Sequence, residues 1–366
     1  MSLLNTSLTR AAATAGLASI AIGVSPLAGE TLSTAYSTDR SFAVSVSQTT
    51  SSETSREIYI DGEPREGRGG MGGGARSATF AYSYTDTPLK VKDGAPSKVE
   101  RTFDEIGGSM SMERRGEPFE QSVESALEGI TVVFTESGDG VEYEVTDGDA
   151  PDDEARLEGH RLALPLDALL PDDEVETGAT WDIDGESLGA ALGLGLERKL
   201  VDRPERPDGG QGREGRGGGG GRRQRGGMRG GGGGLSALAS GEWSATATLT
   251  DQVEEAGGVE CVVIKIEAEV EGSMDRSGGR DRDDFSATPA SASAPQETSF
   301  SGEFEGSLLW CVAEKRPIRF SLEGTFQSSM EMERETQRGL MQMASETETK
   351  LEYTVEIDVQ RAGSDD

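Results

Sequence analysis

The 366 residues include 35 lysines and arginines against 67 aspartates and glutamates, a formal charge of −32. A surface that acidic repels nucleic acid and anionic membrane, which sets both partners aside for the body of the chain. Apolar residues make up 34% and glycines number 51, a thin core for this length, so part of the chain lies outside any packed core.

Arg10 is followed by the uncharged apolar run Ala11 to Val24 and then Ser25-Pro26-Leu27-Ala28. A basic start, a short apolar stretch and a small-residue exit read as a secretory signal peptide over 1–28. A cut after Ala35 is the alternative. The run is too short to span a bilayer, which needs about 20 apolar residues, and no second long apolar run follows. The mature chain is therefore expected in the periplasm or outside the cell, with no transmembrane anchor.

Period-two alternation then dominates, the mark of half-buried strands. It runs through Phe42-Val44-Val46, Ile58-Ile60 and Ala78-Phe80-Tyr82-Tyr84. Val132-Phe134 and Val141-Tyr143-Val145 flank the turn Ser137-Gly138-Asp139-Gly140, a hairpin. Short helices are expected at Gln121–Leu127, Leu166–Leu170 and Glu186–Leu196, the last weakened by Gly189, Gly193 and Gly195. Trp243 to Leu249, Val262 to Val270, Phe304 to Val312 and Ile318 to Phe326 alternate again. So does the final run, with Leu351, Tyr353, Val355, Ile357 and Val359 on one parity. Strands joined by short turns predict a mainly β fold: a large curved antiparallel meander, half-barrel-like, with one apolar face and one or two helices to cover it.

Three stretches carry too few apolar residues to pack: 62–75, 203–234 and 273–298. They divide the chain into an N-terminal β half (29–203), a disordered Gly/Arg-rich insertion (204–235), a C-terminal β half (236–361) and a tail (362–366). The C-terminal half either continues the first sheet or forms a second domain.

Cys261 and Cys311 are the only cysteines. Both sit on the parity opposite the apolar residues of their strands, so both face outward. In an exported chain, two cysteines on one face of neighbouring strands are expected to form a disulfide.

Catalytic signals are few. His160 is the single histidine, without a nucleophile motif beside it, and reads as a surface or strand-edge residue. The six arginines of the Gly-rich tract outweigh Asp208 and Glu214 by four charges, but no aromatics are interleaved as RNA-binding tracts require. The acidic clusters Asp147–Glu154 and Asp172–Glu174 lack the spacing of a calcium loop. Of Trp181, Trp243 and Trp310, the last two lie on apolar strand faces and read as core. No residue is assigned a catalytic, cofactor or metal role.

The segment Leu170-Pro171 with Val175, Gly178 and Trp181 resembles one found in uncharacterised bacterial secreted β-rich proteins. The stretch Tyr84 to Phe103 and the strand opening Gly258-Val259-Glu260-Cys261 are similar to the same group. In outline, a curved sheet with a covering helix also resembles the half-barrels that carry lipoproteins and lipids, a likeness of fold only. The expectation is an exported, non-enzymatic protein with a structural or binding role, taking an apolar ligand such as a lipid or an envelope-protein partner. A carboxylate-based hydrolase and a calcium-binding envelope component are the alternatives.

Overall fold

The computed structural model describes residues 29, 31–64, 74–114, 117–138, 140–194, 196–200, 238–275, 297–336 and 339–361. The expected signal peptide, the Gly/Arg-rich insertion, most of the other two low-apolar stretches and the tail lie outside the described residues.

Alternation makes strands because each second side chain leaves the same face of a pleated backbone. Thirteen result: β1 (Arg40–Ile60), β2 (Glu63–Pro64), β3 (Ala75–Lys92), β4 (Ala95–Arg114), β5 (Glu117–Val123), β6 (Thr131–Ser137) and β7 (Gly140–Asp147), then β8 (Thr180–Ile183), β9 (Glu242–Ala256), β10 (Val259–Asp275), β11 (Glu297–Cys311), β12 (Arg316–Thr336) and β13 (Gly339–Arg361). All pair antiparallel in one open sheet of order β7-β6-β4-β3-β1-β13-β12-β11-β10-β9-β8, with β2 on β1 and β5 on β4. The first and last strands, β1 and β13, pair from Arg40 opposite Arg361 to Ile60 opposite Met341, so both halves of the chain build the same sheet. The expected helix at Gln121–Leu127 does not form. Its start continues β5, which pairs with β4 through Met112 opposite Phe119.

The apolar parity faces inward throughout. Phe42, Val44, Phe103, Phe134, Ile264, Phe304, Phe320, Val355 and Ile357 are buried in one cluster. Glutamates and serines hold the other face. There Glu267, Glu305, Glu323 and Glu352 stand directly opposite one another on four successive strands, all exposed.

The inner face carries glycines where a neighbouring strand lays a ring or an aliphatic side chain across them. Phe300 covers Gly272, Phe326 covers Gly302, and Phe304 covers Gly324, each pair directly opposite in register. The ring fills the space that the missing side chain leaves, and the strand can bend there.

What hides this face is the connection between the two sheet edges. Residues 148–179 and 184–200 leave β7 at one edge, cross the inner face and flank β8 at the other. They contain 3₁₀ turns at Glu154–Arg156 and Pro165–Leu169, helix α1 (Gly185–Ala191) and the single turn α2 (Glu197–Leu200). Leu157, Leu164, Leu166, Leu169, Leu188, Leu192 and Leu200 of this cover are each at most 4% exposed. Each contributes about 1.5–3 kcal/mol of transfer free energy. The expected helix at 166–170 is thus a 3₁₀ turn. The one at 186–196 stops at Ala191, because Gly193 takes a left-handed φ of 60° that ends it.

Added bulk at the covered glycines has nowhere to go. A Cβ at Gly324 would stand 2.2 Å from the carbonyl oxygen of Glu303 and 2.5 Å from the Phe304 ring. Gly324→Ala is expected to destabilise by about 2–3 kcal/mol, read as a lower urea midpoint at unchanged slope. An unchanged midpoint would mean that the ring does not lie on this glycine.

Candidate functional site

Two strand positions break the apolar parity. Asp86 follows Phe80, Tyr82 and Tyr84 on the inner face of β3, and Arg101 lies between Val99 and Phe103 on β4. The register sets them directly opposite each other. Both are only about 4% exposed. Their contact is bidentate: Arg101 Nε donates to Asp86 Oδ1 at 2.6 Å, and an Nη to Oδ2 at 2.7 Å. The guanidinium lies 4.2 Å from the centre of the Tyr84 ring and also donates to the carbonyl oxygen of Arg161 at 3.2 Å. Burial pushes the Asp86 carboxyl up, against the pull of Arg101. Burial opposes charge on Arg101, but Asp86 together with Tyr84 and Tyr82 outweighs it and the guanidinium stays protonated.

His160 completes this array from the cover. It is 3% exposed, not a surface residue as its polar neighbours implied. Its ring packs against Phe134 and Phe103, with centroids 5.1 and 5.6 Å away. Arg101 donates to Nδ1 at 3.1 Å, so Nδ1 is the acceptor. The proton then sits on Nε2 and is donated to the carbonyl oxygen of Arg156 at 3.2 Å. Both ring nitrogens are engaged, and neither is left to take a substrate proton. Burial, with Arg101 close by, pushes the His160 pKa down to about 3.

A second polar contact ties down the segment that precedes β1. The hydroxyls of Thr34 and Tyr36 both donate to the Asp167 carboxylate in the 3₁₀ turn, and Tyr36 accepts from the Leu164 amide at 2.7 Å. Removal from water lifts the Asp167 pKa to about 6 although the two hydroxyls lower it.

Between this array and the cover lies a cavity of about 600 Å³. Its sheet wall is Tyr82, Tyr84, Arg101 and Trp243. Its other wall mixes small residues (Gly159, Gly185, Gly189, Ala190, Gly193 and, just before β9, Gly241) with the longer side chains of Glu158, His160, Arg161, Leu194, Leu196 and Lys199. The α1 stretch that glycine makes a poor helix is therefore the stretch that leaves the space. Asp184 still starts α1 by accepting from the Ser187 amide at 2.8 Å. Lys199 reaches the same space and donates to the carbonyl oxygen of Glu158 at 2.8 Å. Arg161 and Glu186, 49% and 91% exposed, pair loosely at 3.7 Å where the cavity meets solvent.

The other expected residues are placed apart from it. Cys261 and Cys311 are directly opposite on β10 and β11, facing outward. They are buried there in a small separate cluster with Val263, Leu309 and Ile318. The expected bond is not formed: both thiols are free. Burial and the adjacent Cys311 push the Cys261 thiol up to about 11, which keeps it protonated. The carboxylates of Asp147–Glu154 and Asp172–Glu174 are exposed, and among the described residues no three His, Cys, Asp or Glu side chains converge on a metal position. The Gly/Arg-rich tract lies outside the described residues. Among those residues no helix is long and apolar enough to cross a membrane.

No family model matches the chain, and no curated protein does. Among solved structures it is similar to the P. putida toluene transporter TodX at 7% identity, over 88% of this chain and 90% of that one, with a TM-score of 0.15. A score that low carries no argument.

The His160 geometry fixes a pH dependence. A histidine whose folded pKa lies below its unfolded value of about 6.5 must stay neutral to remain folded. Its contribution is complete above pH 6.5 and is lost as pH falls toward 3. His160→Asn lacks the titrating group. Relative to wild type it is expected to be less stable at pH 7, and the deficit should shrink by roughly 1 kcal/mol per pH unit between 6 and 4. Asp167 acts in the opposite direction over the same range, but it is present in both proteins and cancels. A deficit constant from pH 7 to 4 in denaturant titrations would refute a buried neutral His160.

Proposed function

We propose that this chain is an exported, non-enzymatic binding protein whose ligand sits between the sheet and the segment that covers it. One observation carries the reading: leucines of the cover are buried against the inner face, yet beside Tyr82, Arg101 and Trp243, where Gly159, Gly185, Gly189 and Gly193 are among the lining residues, a cleft of about 600 Å³ remains. A fold with a core this thin gains stability by filling such a space, and ligand cavities fall in the range of about 300–1,000 Å³. The site departs from an open lipid-carrying half-barrel, because the chain's own leucines are buried against the inner face. The ligand is correspondingly small. Native mass spectrometry of the full chain, purified from its own host compartment, is expected to show a retained small molecule that is released on denaturation. An empty protein that no metabolite extract stabilises against heat would refute the reading.

Export gives the cysteine pair a second expectation. Thiols directly opposite on adjacent strands lie within disulfide reach, and an oxidising compartment closes such pairs. The exported protein should resist alkylation in denaturant until reduced, whereas the same chain made in a reducing cytosol should take two labels. Two labels on the exported chain would rule out the bond.

A further inference from the structure

The cavity is lined by apolar and charged groups, and its contents follow from them. This inference rests on the binding reading above and specifies the ligand. Trp243 stands against Gly185, the Tyr82 hydroxyl faces Gly193, and Leu194 and Leu196 add apolar surface. Charged groups line the rest of the space: Arg101, Arg161 and Lys199, with Glu158 and Glu186. Lys199 reaches it from α2 and donates to a neutral carbonyl; no carboxylate of the described residues lies within 4.0 Å of its ammonium. Arg101 is already matched by Asp86, and His160 is held neutral with its one proton engaged, so neither supplies an anion to Lys199. Glu158 and Glu186 line the space but are exposed. Among the described residues this ammonium meets a carbonyl and no carboxylate, which leaves it a position for an anion.

We infer that the cavity binds an amphipathic monoanion, a fatty or aromatic carboxylate. Its apolar body lies on Tyr82 and Trp243, and its carboxylate accepts from Lys199. Arg161 and Glu186 frame the entrance and are not needed for charge recognition. Size favours one apolar chain or a small ring system over a phospholipid, and Glu158 and Glu186 at the same cavity disfavour a multiply charged anion.

The test uses the full mature chain at neutral pH and calorimetric titration with decanoate, palmitate and 2-naphthoate, each against its alcohol. At least one acid should bind about tenfold or more tightly than its alcohol. Lys199→Met should remove that preference and leave alcohol binding in place. Gly189→Leu fills the cavity from a helical position: a Cβ there meets only the tip of Leu194, at 3.8 Å, and φ is ordinary. It should abolish binding of acid and alcohol alike with the melting temperature unchanged or raised. If acid and alcohol bind equally and Lys199→Met changes neither, the anion inference falls while the binding cavity stands. If nothing binds to wild type, the anion inference falls. If Gly189→Leu leaves binding intact, the ligand is elsewhere and the cavity reading falls with it.

Discussion

An open sheet with one apolar face cannot hide that face by itself, and this requirement organises the molecule. A closed barrel would turn the face onto its own interior. Here the strand order leaves β7 and β8 at opposite edges, and the connection between them is the only described stretch long enough to lie across the inner face. The cover is thus an outcome of topology: the chain must travel from one edge to the other, and its leucines make the crossing the lid of the core. Helix is secondary to that task. Seven residues of α1 and two 3₁₀ turns suffice, because the stabilising term is burial of leucine against the sheet and not helical propensity.

A cover built from irregular backbone needs something to fix where it sits, since apolar contacts alone are non-directional. The Asp86–Arg101–His160 array supplies direction. Arg101 spends its donors on a carboxylate of the neighbouring strand, on the ring nitrogen of His160 and on the carbonyl of Arg161. Two of these acceptors belong to the cover. Buried ion pairs contribute little net stability and often less than apolar residues of the same shape. The array is better understood as a positioning device: any shift of the cover leaves a buried guanidinium or imidazole short of a partner, which costs about 1–3 kcal/mol for each group. Asp167 does the same a few residues further on, where it ties Thr34 and Tyr36 to the 3₁₀ turn.

The sheet was legible in the sequence because its signal is repeated and local. Parity alone placed Phe42, Val355 and Phe320 inside and both cysteines outside. The register that brings Cys261 opposite Cys311 could only be guessed at from turn positions. The site was not legible, although its two strand members left a trace. Asp86 and Arg101 are opposite charges at core-facing positions of consecutive strands, an arrangement that alternation forbids unless the two meet. Counting charge on the inner parity would have found them. His160 and Lys199 left no such trace. They sit in segments without period, and a polar residue among Glu158, Gly159 and Arg161 reads as exposed until the sheet behind it is known. The glycines of α1 were read only as helix breakers, because their second effect, leaving room, depends on what lies opposite.

Charge is segregated by the same sheet. The outer face sets Glu267, Glu305, Glu323 and Glu352 in a row across four strands, like charges directly opposite and therefore mutually repelling. The inner side carries the Asp86–Arg101 pair and the Asp167 carboxylate, with Lys199 among the charged residues that line the cavity. The repulsion outside is tolerated because water and salt screen it within about 10 Å. On the proposed reading, an anion meets a repulsive surface from a distance and an attractive group only at close range, at Lys199. Such a field slows capture of anions in general and leaves selection to the ligand's apolar body and carboxylate together, not to net charge.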